Sequence, residues 1–410
     1  MINDVIIIGG GAAGLCAAVY LKQNNPKLSV RVLEALPRVG KKLALTGNGR
    51  CNITNKNIEL SRYHGNDVDF AKFALENYDN SFCESFFEKI GISFIYEDDK
   101  AYPSSLQGSS VVDCLRFAAE NSGVITHTET KVTNIQTEGG NYKLICSNMS
   151  FLAKNIIIAA GLLSGGDRLG CDGSMLNILK KAGFKAAPSS PAIVQLKTET
   201  DLVKQLKGIK SDMLVTLKLD GKVLRQEFGE TLFCDYGLSG PPVLQISRAV
   251  GTEKGDFSIS LDIKPDTDYN SLVNLLTERA KNLYYLNLDE FFTGFLNKRL
   301  GQVILKSVGC KLNESVKTLN KQKIKEIAAK IKSFNLKVLG NTGFLNSQVT
   351  AGGLLTSQFD SKTMMSLTNK NLYAVGEILD IDGDCGGFNL RWAWSSAFCA
   401  ADSILRNTEK

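Results

Sequence analysis

Hydrophobic residues first gather in short, uninterrupted runs. Residues 4–8, DVIII, read as a buried strand of a parallel sheet. GGGAAG follows at 9–14, then an apolar helix from Ala12 to about Asn24, then a second strand, SVRVLEA, that reaches Glu34. Further on, DFAKFALENY and SFCESFFEKIG have helical spacing, ISFIY reads as a strand and VVDCLRFAAENSG as a crossover helix. Short strands up to NIIIAAG (155–161) predict an antiparallel layer, with Glu138-Gly139-Gly140-Asn141 as a hairpin turn. Between 188 and 262 the pattern is β-rich: PAIVQL, MLVTLKL, KVLRQEF and FSISLDI, with Asp220-Gly221 as a type I′ hairpin signal and Pro241-Pro242 closing a turn. From 268 to 335 the period is helical again, with Ile324, Ile327, Ala328 and Ile331 on one face. A last strand, 372–375, leads through glycines into a helix that starts near Asn389.

The 9–14 segment satisfies G-x-G-x-x-G between a strand and a helix. Gly9 allows the sharp turn, Gly11 lets backbone amides approach a pyrophosphate, and Gly14 lets helix and sheet pack closely. The helix N-terminus, where Ala13 sits, favours negative charge. Glu34 stands twenty residues after Gly14, where a carboxylate accepts from a ribose 2′-hydroxyl, with Ala35 beside it. This fingerprint does not separate FAD from NAD.

Two other glycine-rich stretches favour FAD. PRVGKKLALTGNGRCNITN, 37–55, predicts a long polar loop where a nicotinamide fold usually continues into a crossover helix. Lys41, Lys42 and Arg50 offset phosphate charge there, Thr46, Asn48, Asn52 and Asn55 offer neutral hydrogen bonds, and Gly49 keeps the loop pliable. Near the C-terminus, strand, Gly376 and Glu377 form an element suited to a ribityl chain. Asp384, Gly386, Gly387, Phe388, Asn389 and Leu390 follow, where a helix N-terminus stabilises negative charge at N1/O2 of reduced flavin. Val132 is placed beside the adenine, and Ala160 and Gly161 end a strand on the cofactor side.

TGNGRCN (46–52), GLSGP (237–241), VTAGG (349–353) and GEILDIDGDCGGFNLRWAWSSA (376–397) resemble, in order and over essentially the whole length, the bacterial FAD-dependent oxidoreductases that include aminoacetone oxidase and a steroid-ring reductase of bile-acid metabolism. The resemblance implies an α/β architecture: a Rossmann-type, glutathione-reductase-like FAD domain at 1–187 and 346–410, a β-barrel-like insertion at 188–265 and 336–345, and a basic helical insertion at 266–335. It also implies FAD contacts at Gly9, Gly11, Gly14, Glu34, Lys42, Arg50, Cys51, Gly376, Glu377, Gly387 and Asn389. The chain departs from that family after Gly161, where it reads LLSGGDRLGCDGS, and at Arg391, where glutamine is frequent.

Composition narrows the chemistry. The 410 residues are 43% hydrophobic and 22% charged, as in a globular chain of two or three domains. The apolar stretch 5–21 has four glycines in 17 residues, too short and broken for a membrane span. His64 and His127 are the only histidines, so a histidine zinc site is not expected, and no metal is. Ten cysteines without a CxxC read as reduced thiols of a cytoplasmic protein and remove the dithiol reductases. A second dinucleotide fingerprint is missing, so NAD(P)H, if used, visits transiently; otherwise oxygen reoxidises the flavin. Cys51 and Cys385 are candidate redox partners or small packing residues, Tyr236 a candidate proton donor or structural tyrosine, and Arg391 a candidate group for a substrate carboxylate or reduced flavin. His64, in RYHGN, reads as a loop residue. The net charge is +6, yet Asn297–Lys337 holds eleven Lys and Arg against two Glu. That segment is read as a solvated helix face or, alternatively, as the surface of a flavin-containing RNA-associated protein.

Overall fold

A computed structural model describes residues 2–147 and 149–408. The chain forms two compact units. One runs to Pro191 and resumes at Ser347; the other is Ala192–Asn346.

The first unit is built on a seven-stranded sheet. Five strands are parallel: Ile125–His127, Val30–Leu33, Ile2–Ile8, Ser150–Ile158 and Leu372–Ala374. Val5–Ile8 is buried on both faces, which explains its unbroken apolar run. Strand Ser150–Ile158 has three neighbours. Ile2–Ile8 lies along one edge; on the other, Ser150–Ala153 pairs antiparallel with Tyr142–Ile145 and Ile156–Ile158 pairs with Leu372–Ala374. Glu138 faces Asn141 across Gly139-Gly140, both at positive φ, the expected hairpin. The 21-residue helix Phe388–Thr408 packs on the first helix, Ala12–Asn24, and one carboxylate, Asp402, accepts from both Tyr20 Oη (2.9 Å) and Tyr78 Oη (2.7 Å).

One expectation for this unit needs correcting. The 37–55 stretch is not all loop: Lys41–Gly49 is helical but broken at Thr46–Asn48, where Gly47 and Asn48 are left-handed. Its apolar Leu43 is buried, and that burial outweighs the glycine content. Residues 54–103 also add two small sheets, in which Thr54–Asn55 pairs with Lys100–Pro103 and Tyr63–His64 with Asp382–Gly383.

The second unit is a closed six-stranded antiparallel barrel with helices. Lys210–Leu219 and Lys222–Phe233 form its long hairpin, with Asp220 and Gly221 at φ 49° and 79° in the turn. Helices Tyr269–Asn282, Lys298–Ser307 and Lys321–Lys332 bury Leu272, Leu276, Ile304 and Ile327 in one core with the barrel's Val215, Ile259 and Leu336. The helical stretch 266–335 lies within this unit, with its apolar faces in the barrel's core. The unit boundaries fall at 191/192 and 346/347. Pro241-Pro242 does not close a turn but opens helix Pro241–Ile246, where proline's fixed φ and missing N–H suit the first turn.

Candidate functional site

The strand–turn–helix at the N-terminus leaves a gap of defined shape. Gly9 has φ 106°, and a Cβ there would meet Ala159 O at 2.5 Å. A Cβ on Gly14 would lie 1.9 Å from Gly9 O. These two glycines are required by the protein's own packing. Gly11 differs: it caps the helix at φ −84°, and a Cβ on it would meet nothing within 4 Å. Open space over a helix N-terminus with unspent N–H groups is what a pyrophosphate needs. Beside it, Glu34 Oε2 accepts from Gly10 N and Oε1 from Leu36 N, each at 2.8 Å. Burial raises the Glu34 carboxyl above its usual range, and these amides only partly offset it. Ala35 next to it is exposed.

The C-terminal half of the site closes on the same turn. A Cβ on Gly376 (φ 71°) would sit 3.3 Å from Ala13 Cβ, so this segment lies against the first helix. Lys42 Nζ pairs with Glu377 Oε2 at 2.6 Å, and Glu377 Oε1 accepts from Thr350 N at 2.9 Å. Burial pulls the Lys42 ammonium down, but Glu377 pulls it further up, so it stays charged. A Cβ on Gly161 (φ 64°) would lie 3.9 Å from Glu377 Oε2, on the same side. Thr350 Oγ1 accepts from Leu163 N and Ser164 N and bonds Ser164 Oγ at 2.8 Å, which fixes the loop that departs from the family pattern.

At the closing helix, a Cβ on Gly387 would lie 2.6 Å from Thr54 C and 2.9 Å from Asn52 Oδ1. Asn52 Oδ1 is buried without a hydrogen-bond partner. Asn55 Nδ2 holds Gly386 O at 2.9 Å, and Asn389 folds back on Gly383 through N–H···O bonds of 2.8 and 2.7 Å. Phe388 is buried and Leu390 half-buried. The first amides of this helix are thereby aimed by side chains that do not use them. Val132 is buried in its strand, and neighbouring Lys131 pairs with Asp172. Arg50 stacks over Tyr102 at 4.2 Å and pairs with Glu97, and Thr46 Oγ1 donates to Leu43 O at 2.8 Å. Gly49 at φ 82° has open space around it, and Ala160 is half-buried.

These residues fit FAD. An open helix N-terminus, a carboxylate beside it, a second glycine–acid element against the same turn and a second helix start form one cradle within one unit. Among the described residues no cluster could hold a metal ion, and no helix is long and apolar enough to cross a membrane.

The catalytic candidates fare differently. Arg391 is not available to a substrate carboxylate. It is 1% exposed, and Nη2 donates to Leu75 O (3.2 Å) and Tyr78 O while Nη1 reaches Asn80 Oδ1 (3.3 Å). It satisfies carbonyls at a helix junction. Cys51 is fully buried, and burial pushes its thiol up to about 12, so it lacks a thiolate at neutral pH. Burial also raises the Cys385 thiol. Tyr236, in the second unit, is held above its ordinary value by burial and by Cys234, so its hydroxyl keeps its proton. His64 is not a plain loop residue: its strand pairs with Asp382–Gly383, and Nε2 lies 2.9 Å from Asp384 Oδ1. Sequence reading missed Thr350 as the partner of Glu377; VTAGG marks the place, but nothing local to it names the acid 27 residues on.

Residues 3–403 match the family described as HI0933-like protein Rossmann domain. The chain is 31% identical over 401 residues to a 3-dehydro-bile acid delta(4,6)-reductase of Clostridium scindens, covering 97% of this chain and 98% of that one. It is 30% identical to a ribosomal RNA dihydrouridine synthase of Haemophilus influenzae, covering 98% and 99%. Among solved structures, a flavocytochrome c3 fumarate reductase aligns over 100% of this chain and 79% of its own, with 12% identity and a TM-score of 0.53, which is a likeness of fold. The cradle and these matches agree: the chain belongs to the HI0933-like Rossmann-domain family and is an FAD-dependent oxidoreductase.

Proposed function

We propose that the chain reduces a carbon–carbon double bond conjugated with a carbonyl in a small metabolite, with NAD(P)H as the transient source of electrons. The observation that carries the cofactor half is Gly11, the one fingerprint glycine whose missing side chain leaves room for a ligand rather than for the protein. The substrate half follows from the relatives, which are named for a delta(4,6)-reduction and for making dihydrouridine; both saturate ring double bonds.

Bound FAD supplies hydride transfer at N5. The chain's residues do the rest. Amides at the two helix starts would hold its pyrophosphate and its pyrimidine end, where a helix N-terminus would favour negative charge. The Lys42–Glu377 pair fixes the glycine–acid element that would hold the ribityl chain. The proton that completes saturation is supplied by solvent.

Anaerobic stopped-flow mixing of the yellow protein with NADH and with NADPH tests this. Fast bleaching by one of them, followed by reoxidation on adding a cyclic enone, is expected. Bleaching by an amine substrate but by neither nicotinamide would instead make the chain an oxidase that returns electrons to oxygen. Protein that takes up no FAD overturns the cofactor half.

A second reading keeps RNA as a partner. Tyr284 and Tyr285 are 54% and 68% exposed in the second unit, with Lys317 Nζ 5.2 Å from the Tyr284 ring centroid. Exposed rings beside cations suit stacked bases.

A further inference from the structure

Two segments flank Glu34. Segment 129–131 is joined to it by backbone: Thr130 N donates to Glu34 O at 2.8 Å and Glu129 N to Leu36 O at 3.1 Å. The other, 170–172, belongs to the loop that departs from the family pattern. A Cβ on Gly170 (φ 74°) would lie 3.3 Å from Leu36 Cδ1 and 3.8 Å from Glu34 Oε1, so this loop rests on the acid and its neighbour. Cys171 beside it is 6% exposed and lies within electrostatic reach of Lys42, Glu377 and Glu34. The inner side of the loop therefore faces the cradle, at the end marked by Glu34.

The loop is built to move as one piece. Leu169 N and Cys171 N donate to Gly166 O at 3.0 and 3.2 Å, and Gly170 N donates to Asp167 O at 3.0 Å, which closes a compact turn on its own backbone. One end is fixed by Thr350 Oγ1, the acceptor for Leu163 N and Ser164 N. The other end is fixed by Asp172, whose two oxygens do different things. Oδ1 accepts from Ser174 N at 2.9 Å and steadies the start of helix Ser174–Lys181, which packs on strand Val132–Glu138. Oδ2 pairs with Lys131 Nζ, on the residue that precedes that strand. The Lys131 and Asp172 side chains are 46% and 30% exposed. Water competes for an ion pair this open, so it adds little to folding stability, breaks and re-forms readily, and weakens with salt.

We propose that Lys131 and Asp172 are the latch of a gate: loop 165–172 closes over the adenosine end of the cofactor, and FAD enters and leaves when the pair opens. The inference rests on the FAD reading above and concerns passage, not chemistry. A latch fastens the loop over an empty cradle and a filled one alike. Loosening it speeds entry and release by similar factors and leaves the equilibrium nearly unmoved. Damage to the cradle itself would instead weaken binding.

The test follows flavin fluorescence in stopped flow: uptake of FAD by apoprotein, and release from loaded protein into excess ADP, which blocks rebinding. Lys131→Gln and Asp172→Asn are each expected to raise both rates roughly threefold or more at low salt, with Kd changed less than about twofold and thermal melts unmoved. Asparagine keeps the acceptor for Ser174 N, so its effect isolates the lost charge. The double variant should be no faster than the faster single one, because one pair is lost only once. Wild-type release should climb toward that of the variants as salt rises from about 20 to 500 mM. Release rates of wild type and variants that coincide at low salt overturn the proposal. So does faster release with entry unchanged and Kd raised to match, which would make the pair part of the binding surface. If a variant does not fold, the other variant decides, and wild-type release that ignores salt overturns the proposal equally. Wild-type protein that takes up no FAD fails the earlier reading instead, which keeps the two failures apart.

Discussion

Gly11 and Gly14 sit three residues apart and answer to different constraints. Gly14→Ala forces a methyl against the carbonyl of Gly9 and should destabilise the fold itself. Gly11→Ala meets open space at an ordinary φ, so thermal unfolding should be nearly unchanged while FAD affinity falls at least about tenfold, the pyrophosphate having lost its approach. Calorimetry with fluorescence titration of FAD separates the two. Arg391 makes the opposite case. Arg391→Leu strips partners from the Leu75 and Tyr78 carbonyls and should lower stability by roughly 3 kcal/mol, read from urea melts. Arg391→Gln should lose less, about 1–2 kcal/mol, because one donor remains. The glycines were legible in the sequence because φ and close approach are local demands. The fate of Arg391 was not, since its partners are more than 300 residues away.

At the level of strands and helices, period and turn chemistry located most segments. Gly139-Gly140 and Asp220-Gly221 turn where expected because a two-residue hairpin leaves few alternatives. Pro241-Pro242 misled, because proline suits a turn and a helix start equally and only burial of Val243 and Ile246 decides. Lys41–Leu45 misled because charge and glycine hid one buried leucine. Polar ties between strands were invisible beforehand. Asp4 accepts from Ser29 N and Oγ at 2.9 Å and from Lys154 Nζ at 2.8 Å, which links three neighbouring strands. Burial raises this carboxyl, but these bonds outweigh it and its pKa falls below the usual value. A lowered pKa gives stability that is present above the unfolded value and lost as pH falls through the folded one. Asp4→Asn should therefore lose about 1 kcal/mol near neutrality, and the gap to wild type should close as the pH drops below about 4. Denaturant melts at several pH values read this directly.

Over the whole molecule, a cofactor fold and a barrel could be expected from the order of motifs, but the sharing of one core by barrel and helices could not. Amphipathic helices declare a buried face without saying what covers it; here Ile304 and Ile327 meet strand residues such as Ile259. Charge is the other property at this scale. Lys323 and Lys332 are paired with Glu326 and Asp262, which spends part of the basic excess internally. If RNA is the partner, gel shifts seen at low salt should weaken by orders of magnitude between about 50 and 200 mM, and Tyr284→Ala with Tyr285→Ala should weaken them further at every salt. No shift at low salt removes that reading.

Strand Ser150–Ile158 waits for a neighbour, Leu372–Ala374, that the ribosome makes more than two hundred residues later, after all of Ala192–Asn346. During synthesis the Ile156–Ile158 part of its edge stays uncovered, while the inserted unit, contiguous in sequence, has every strand of its own barrel to hand. Biogenesis is thus expected to run from the inside outward. The chromophore is captured last, and a shortage of riboflavin-derived nucleotide would leave the outer unit, not the barrel, exposed to aggregation and proteolysis.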